Sequence, residues 1–195
     1  MVMNLLHRKE QLILTAIDII NELGIQKLTT REIAKRQDIS EATLFRHFKN
    51  KNDLLMAVLD YFIQFDADIL QSTKLKQLPP KEALVYFLTS IVEYYENYPA
   101  ITTLLQTFDV LLYEEGLADK VKEIQKSRIS MIAGFVEEAK QVGELREDLD
   151  SENTALIISG YFRELCFHWK MEQYSFSLRD HMIVTLKWLD GTVGK

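Results

Sequence analysis

One cysteine, three prolines and seven glycines in 195 residues are scarcities that each remove a class of protein. A lone thiol, Cys166, excludes an internal disulfide and any multi-cysteine metal cluster, as expected in a reducing compartment. So few Pro and Gly leave no collagen-like or low-complexity tract and favour helices over short strands joined by tight turns. No run approaches the ~20 uncharged apolar residues of a membrane span. The first apolar residues are interrupted at His7, Arg8, Lys9, Glu10 and Gln11, too early for a signal-peptide core. The expectation is a cytoplasmic globular protein with no membrane partner.

Catalytic signatures are also missing: there is no phosphate-cradling Gly-rich loop, no HExxH and no nucleophile elbow. Cys166 and His168 lack further ligands at metal-binding spacing, and Glu114-Glu115 and Glu137-Glu138 read as solvated helix faces. Neither an enzyme nor a metal or cofactor is expected. A basic balance is absent too, the formal charge being −6. That total hides an asymmetry. Residues 1–55 carry nine Lys+Arg against seven Asp+Glu, a charge of +2, and the remaining 140 carry fourteen against twenty-two, a charge of −8. A small module facing an anion, attached to an acidic body, has this distribution.

What is present is helical periodicity. Leu12, Ile13, Ala16, Ile17, Ile19, Ile20 and Leu23 recur at three- and four-residue steps and stop at Gly24. Thr29 then caps a second helix that ends near Gln37, with Glu32 completing a capping box and Leu28 and Ile33 a hydrophobic staple. The start signal returns at once, with Ser40 as cap and Ile39 and Leu44 as staple. Asn50-Lys51-Asn52-Asp53 opens a longer fourth helix, from about 50 to 71, linking the module to the body. Further helices are predicted from Pro80 or Lys81 to Asn97, between Pro99 and Gly116, from Leu117 to Val142, over 152–172 and near Ser177–Asp190. No alternating strand pattern and no repeat of 20 to 50 residues is found.

Two short capped helices joined by a tight turn suggest a helix-turn-helix, whose second member lies in the DNA major groove. Leu44 and Phe48, four apart, would face inward, leaving Glu41, Ala42, Thr43, Arg46 and His47 on a polar outer surface. Lys51 sharpens the suggestion. A cation in the first turn of a helix opposes the macrodipole at a cost of roughly 0.3 to 1 kcal/mol, and a phosphate bound there would reverse the sign. The plain alternative is that Asp53 offsets the charge and Lys51 is solvated.

The run TTREIAKRQDISEATLFRHFKNKNDLL, within residues 8 to 56, resembles the DNA-binding domain of the TetR/AcrR family of bacterial transcriptional regulators. It follows that family's pattern of Thr cap, Ile-Ala, turn, Ser-x-x-Thr-Leu, aromatic, x-His-Phe, x-x-Lys and x-x-Leu-Leu. The resemblance implies an all-α fold: a three-helix helix-turn-helix domain over 1–50, then a helical ligand-binding and dimerisation bundle over 51–195. It implies that Thr30 and Arg31, beside the cap Thr29, approach the DNA backbone. Ser40 would cap the recognition helix, Glu41, Ala42 and Thr43 would face the groove, and Arg46 would lie beside them. Phe45, His47 and Lys51 match phosphate-contact positions. Two departures stand out: Asp38 replaces the usual Gly of the turn, and Phe45 replaces Tyr and so loses a hydroxyl donor.

The resemblance further implies a homodimer paired through its last two helices, with release from a pseudo-palindromic double-stranded DNA operator by a small apolar or amphipathic effector. ALIISGYFRELCFHWKM, from Ala155 to Met171, is apolar on most sides, and the last helix offers Leu178, Met182, Leu186 and Leu189 as a dimer face. Most aromatics of the body are expected in the core. A minority would line an apolar pocket with a few polar anchors, the candidates being Phe62, Tyr94, Tyr95, Phe108, Tyr161, Arg163 and His168. A helical dimeric interaction module that has lost DNA binding is the competing reading, and it would lack a steep salt dependence.

Overall fold

The computed structural model describes residues 2–193, with the side chains of 2–7, 190, 192 and 193 left aside. Nine α-helices lie among these residues: α1 Val2–Leu23, α2 Thr30–Arg36, α3 Glu41–Phe45, α4 Lys51–Leu75, α5 Pro80–Asn97, α6 Thr102–Leu111, α7 Ala118–Gln141, α8 Ser151–Met171 and α9 Leu178–Val193. No β-strand occurs among them. The all-α expectation therefore holds, with helix boundaries within a few residues of those predicted except at α1, which begins at Val2, ten residues before the first periodic residue, Leu12.

Local chemistry explains the boundaries. Gly24, at φ 82°, ends α1 in the left-handed region that a residue without Cβ enters freely. The Thr29 hydroxyl oxygen accepts from the Glu32 N–H at 3.1 Å, Ser40 Oγ from Thr43 N–H at 3.2 Å and Asp150 from Asn153 N–H at 2.8 Å. At α4 two side chains hold the start. Asn50 Oδ1 accepts from Asp53 N–H at 2.8 Å, while the Asp53 carboxylate accepts from Lys49 N–H at 2.9 Å. Pro80 is the first residue of α5, where a missing N–H leaves no gap in the ladder.

The helices group into two compact units, one of Met1–Gln64 with Ala100–Lys122 and one of Phe65–Pro99 with Glu123–Lys195. In the first, α1 packs on α2 and α6, and α2 on α3. Its core joins Leu12, Ala16, Ile17, Ile20, Leu28, Ile33, Leu44 and Phe48 to Phe62 and Phe108, whose rings meet edge-on at 5.6 Å. Polar ties reinforce it: Thr103 donates to the Asn21 side chain at 2.7 Å, Asn52 to the Glu115 carbonyl at 3.0 Å, and Lys120 pairs with Asp60 at 2.9 Å. Residues 100–122 thus pack with the amino-terminal helices, an association that periodicity along the chain does not reveal.

In the second unit α9 lies along α5 and against α8. Leu178, Met182 and Leu186 are buried within this subunit, at 0%, 1% and 9% exposure. This corrects the expectation that they form a dimer face. The opposite stripe of α9 is the open one, with Val184 66% and Trp188 67% exposed. Both stripes are apolar at helical spacing, so periodicity alone could not say which met the subunit's own bundle.

Candidate nucleic-acid interface

The first unit assembles the expected polar surface around the turn between α2 and α3. Asp38 adopts φ 49° there, and the Ile39 N–H closes back on the Ala34 carbonyl at 3.0 Å, a helix-ending loop normally completed by glycine. Aspartate tolerates this region better than most side chains, so the departure from Gly leaves the turn intact. A chain of side-chain bonds braces it. Arg8 donates to Gln37 Oε1 at 3.4 Å, Gln37 to the Thr15 hydroxyl at 2.7 Å, and Thr15 to the Gln11 carbonyl at 2.8 Å.

Leu44 and Phe48 anchor α3 inward at 0% and 1% exposure. Glu41, Ala42, Phe45 and Arg46 are exposed, and Thr43 and His47 are half-buried at the rim. The Thr30 hydroxyl donates to the Glu41 carboxylate at 2.6 Å, joining the first turns of α2 and α3, and Ser40 Oγ lies 3.0 Å from Thr43 Oγ1. Phe45 presents a 47% exposed ring on the outer side. Thr29 and Arg31 are exposed at the start of α2, and Lys51 is half-buried as the first residue of α4. The starts of α2 and α3 therefore share one polar surface, and helix starts of this kind carry N–H groups suited to an oxyanion.

Arg36 shows how cations divide around this surface. Hydrogen bonds to Glu32 and Glu22 raise its pKa and commit its charge internally, with the Glu22 contact at 2.8 Å. Among the described residues Arg31, Arg46 and Lys51 make no ion pair, so their charges remain available to an anion. Arg36 and Arg46 are equally basic in the sequence, and only the fold separates them.

The residues expected around an effector divide between core and surface. Phe62 and Phe108 are core residues of the first unit. In the second, Tyr94 stacks on Phe65 at 4.3 Å between ring centroids, and Tyr95 meets Tyr94 edge-on at 5.7 Å and Phe162 at 5.0 Å. Tyr161 accepts from the Thr185 hydroxyl at 2.6 Å and so faces α9, Arg163 is half-buried, and His168 is exposed with its ring 5.6 Å from that of Phe176. An apolar pocket does occur in this unit, lined by Leu84, Val85, Val136, Leu145, Ile158 and Leu186 among others, and it includes none of the expected residues.

Beside Tyr95 lies a buried ionic node that helical periodicity alone does not announce. Arg128 of α7 donates Nε and Nη2 to the two oxygens of Asp66 on α4, the second at 3.0 Å, and Nη2 also donates to the Tyr95 hydroxyl at 2.7 Å. Burial pushes the Tyr95 hydroxyl well above its ordinary range, keeping it protonated. Burial alone would lower Arg128, but Tyr95 and Asp66 outweigh it and the guanidinium stays charged. Burial also raises the Cys166 thiol, which leaves it unreactive at neutral pH. The signal in the sequence was a charge on each apolar stripe: Asp66 lies four residues after Phe62, and Arg128 four after Ile124.

Two capped short helices, the tight turn between them and, among the described residues, cations without an ion pair at Arg31, Arg46 and Lys51 define a helix-turn-helix DNA-binding protein with a helical body. Comparison with known proteins narrows the class. Residues 12–58 match the family described as bacterial regulatory proteins, tetR family, and residues 74–189 match the YsiA-like protein C-terminal region. The chain belongs to the TetR family of bacterial regulatory proteins and is a transcriptional regulator. The fatty acid metabolism regulator protein of Bacillus subtilis (strain 168) is 28% identical over 173 residues, 86% of each chain. Among solved structures, a transcriptional regulator FadR from Bacillus subtilis in complex with stearoyl-CoA aligns with a TM-score of 0.77 at 24% identity, over 92% of this chain and 96% of that one. The ketosteroid transcriptional regulator KstR2 of Mycobacterium tuberculosis aligns with a TM-score of 0.82 at 19% identity, over 96% and 95%.

Proposed function

We propose that this chain is a cytoplasmic homodimeric repressor that grips a pseudo-palindromic operator through two copies of α3 and is released by an amphipathic long-chain acyl thioester of coenzyme A. Residues 1–50 carry the DNA contacts and 51–195 the effector and the partner, with the start of α4 serving both. No catalytic step is involved. The observation that carries the reading is the polar surface shared by the starts of α2 and α3, together with Lys51 at the start of α4. Arg31, Arg46 and Lys51 offer charge to phosphates, while Thr30, Glu41, Ala42 and Thr43 face outward. Phe45 and His47 flank the backbone contacts, and Thr29 and Ser40 hold the two helix starts in place. The effector class is supported by the stearoyl-CoA bound to a regulator of the same fold.

The dimer reading is supported by large apolar residues exposed along α8 and α9. Ile157, Phe167 and Met171 on α8 are 62%, 44% and 62% exposed, and Val184 and Trp188 are exposed on α9, which the Thr185–Tyr161 hydrogen bond ties to α8. Patches of this kind mark interaction surfaces, and isologous pairing of one patch with itself makes a twofold dimer.

The test is to select fragments of the host genome on the purified protein and titrate the selected operator by fluorescence anisotropy, with and without stearoyl-CoA. Tight, salt-sensitive binding that stearoyl-CoA reverses and free coenzyme A does not supports the reading. Affinity indifferent to salt would favour an interaction module instead. Binding that no acyl thioester reverses would remove the effector class and leave the DNA reading standing.

A further inference from the structure

Two charges occupy positions where the surrounding residues are apolar. Asp66 is 3% exposed on the face of α4 that buries Phe62 and Thr73, and the Arg128 side chain is 11% exposed on the face of α7 that buries Ile124 and Ile132. With Tyr95 they join α4, α5 and α7 in one planar fork, and Phe162 of α8 closes over Tyr95. Burying both ions forfeits their hydration, and well-packed apolar residues of similar volume are commonly as stable or more so. The pair is thus better suited to fixing geometry than to adding stability. A guanidinium donates bidentately to a carboxylate in one relative orientation, whereas aliphatic contacts tolerate sliding. The helix so held is the one that begins with Lys51 and contributes residues up to Gln64 to the DNA-binding unit.

We propose that the Asp66–Arg128–Tyr95 node is a positional lock, holding residues 65–75 of α4 in one register against α5 and α7 and thereby setting the fraction of molecules competent to bind operator. The inference rests on the reading of the chain as an effector-released DNA-binding dimer. The three are positioning residues, and the lock acts through the helix. Loosening it lets α4 sample several registers, and apparent operator affinity then falls with the competent fraction.

The test compares the full-length protein with the double variant Asp66→Leu/Arg128→Met, which removes both charges together, and with Tyr95→Phe, which removes one acceptor and keeps the ring. The double variant is expected to unfold at the wild-type urea concentration or above. Its amide hydrogen exchange over 65–75 should be about tenfold faster, its affinity for the selected operator at least threefold weaker, and its response to stearoyl-CoA smaller. Tyr95→Phe should show the same changes in weaker form at an unchanged urea midpoint. Exchange, affinity and response all within twofold of wild type in the double variant would overturn the lock. A double variant that fails to fold, or melts at markedly lower urea, would overturn it as well, because the node would then be a stability element. If wild-type protein binds no genomic fragment, the DNA reading fails while the exchange comparison still decides the lock.

Discussion

Lys51→Ala separates what is good for the free protein from what is good for its complex. Lys51 is the first residue of α4, so its ammonium sits against the positive end of a 25-residue helix, an arrangement costing roughly 0.3 to 1 kcal/mol when exposed. Asp53 lies in the same turn, but its carboxylate is already engaged by the Lys49 N–H, so the offset is partial. Alanine at this position should therefore stabilise the free protein by about 0.5 kcal/mol, which raises the melting temperature by about 1–2 °C for a chain of this size. On DNA the sign reverses. Each subunit loses one phosphate neutralisation, so the slope of log affinity against log salt should fall in magnitude by about 0.9 per subunit, about 1.8 for the dimer. Between 50 and 200 mM salt the wild type should lose roughly tenfold more affinity than the variant. Thermal melts and anisotropy titrations at four or five salt concentrations measure both. Identical slopes, or a variant that melts earlier, would show that Lys51 faces solvent and not phosphate.

Ser40→Ala removes the cap of a five-residue helix and should cost about 1 kcal/mol, read as a lower urea midpoint together with weaker operator binding. Unchanged binding would detach α3 from the interface. Val184→Asp places a charge among the exposed apolar residues of α8 and α9 and should convert dimer to monomer at micromolar concentration by sedimentation, with folding intact; a stable dimer would move the interface elsewhere. Asp18→Asn tests a raised carboxylate. Burial and the neighbouring Glu22 hold the Asp18 pKa above its ordinary value of 3.8, so the charged form weakens the fold above the folded pKa and the strain disappears below the unfolded one. The variant should accordingly be more stable than wild type at pH 7 and no more stable at pH 3, in parallel urea melts.

How legible the molecule was in its sequence varied with the range of the interaction. Caps, staples and stops are local, so the Thr29 and Ser40 starts and the α2–α3 turn could be placed from neighbouring residues alone, and Asp38 adopts the backbone its chemistry tolerates. Long-range pairing was opaque. Nothing near Asp66 names Arg128, 62 residues on, and an isolated charge on an apolar stripe resembles a surface residue until both partners are placed. The two apolar stripes of α9 were equivalent for the same reason. The polar surface was legible as a set of residues, but Arg36 and Arg46 differ only through the acids that Glu22 and Glu32 bring to the former. The aromatics were the least informative, because a ring that fills a core and a ring that lines a pocket obey the same periodicity.

That residues 100–122 pack with α1 and α4, through Thr103 on Asn21 and Glu115 on Asn52, bears on protein engineering. Transplanting only the first fifty residues onto a foreign body would cut through shared packing and strip Asn21 of the Thr103 hydroxyl. A workable chimera must carry the later segment along with the headpiece, so this reader of DNA is exchanged as two stretches of chain or not at all.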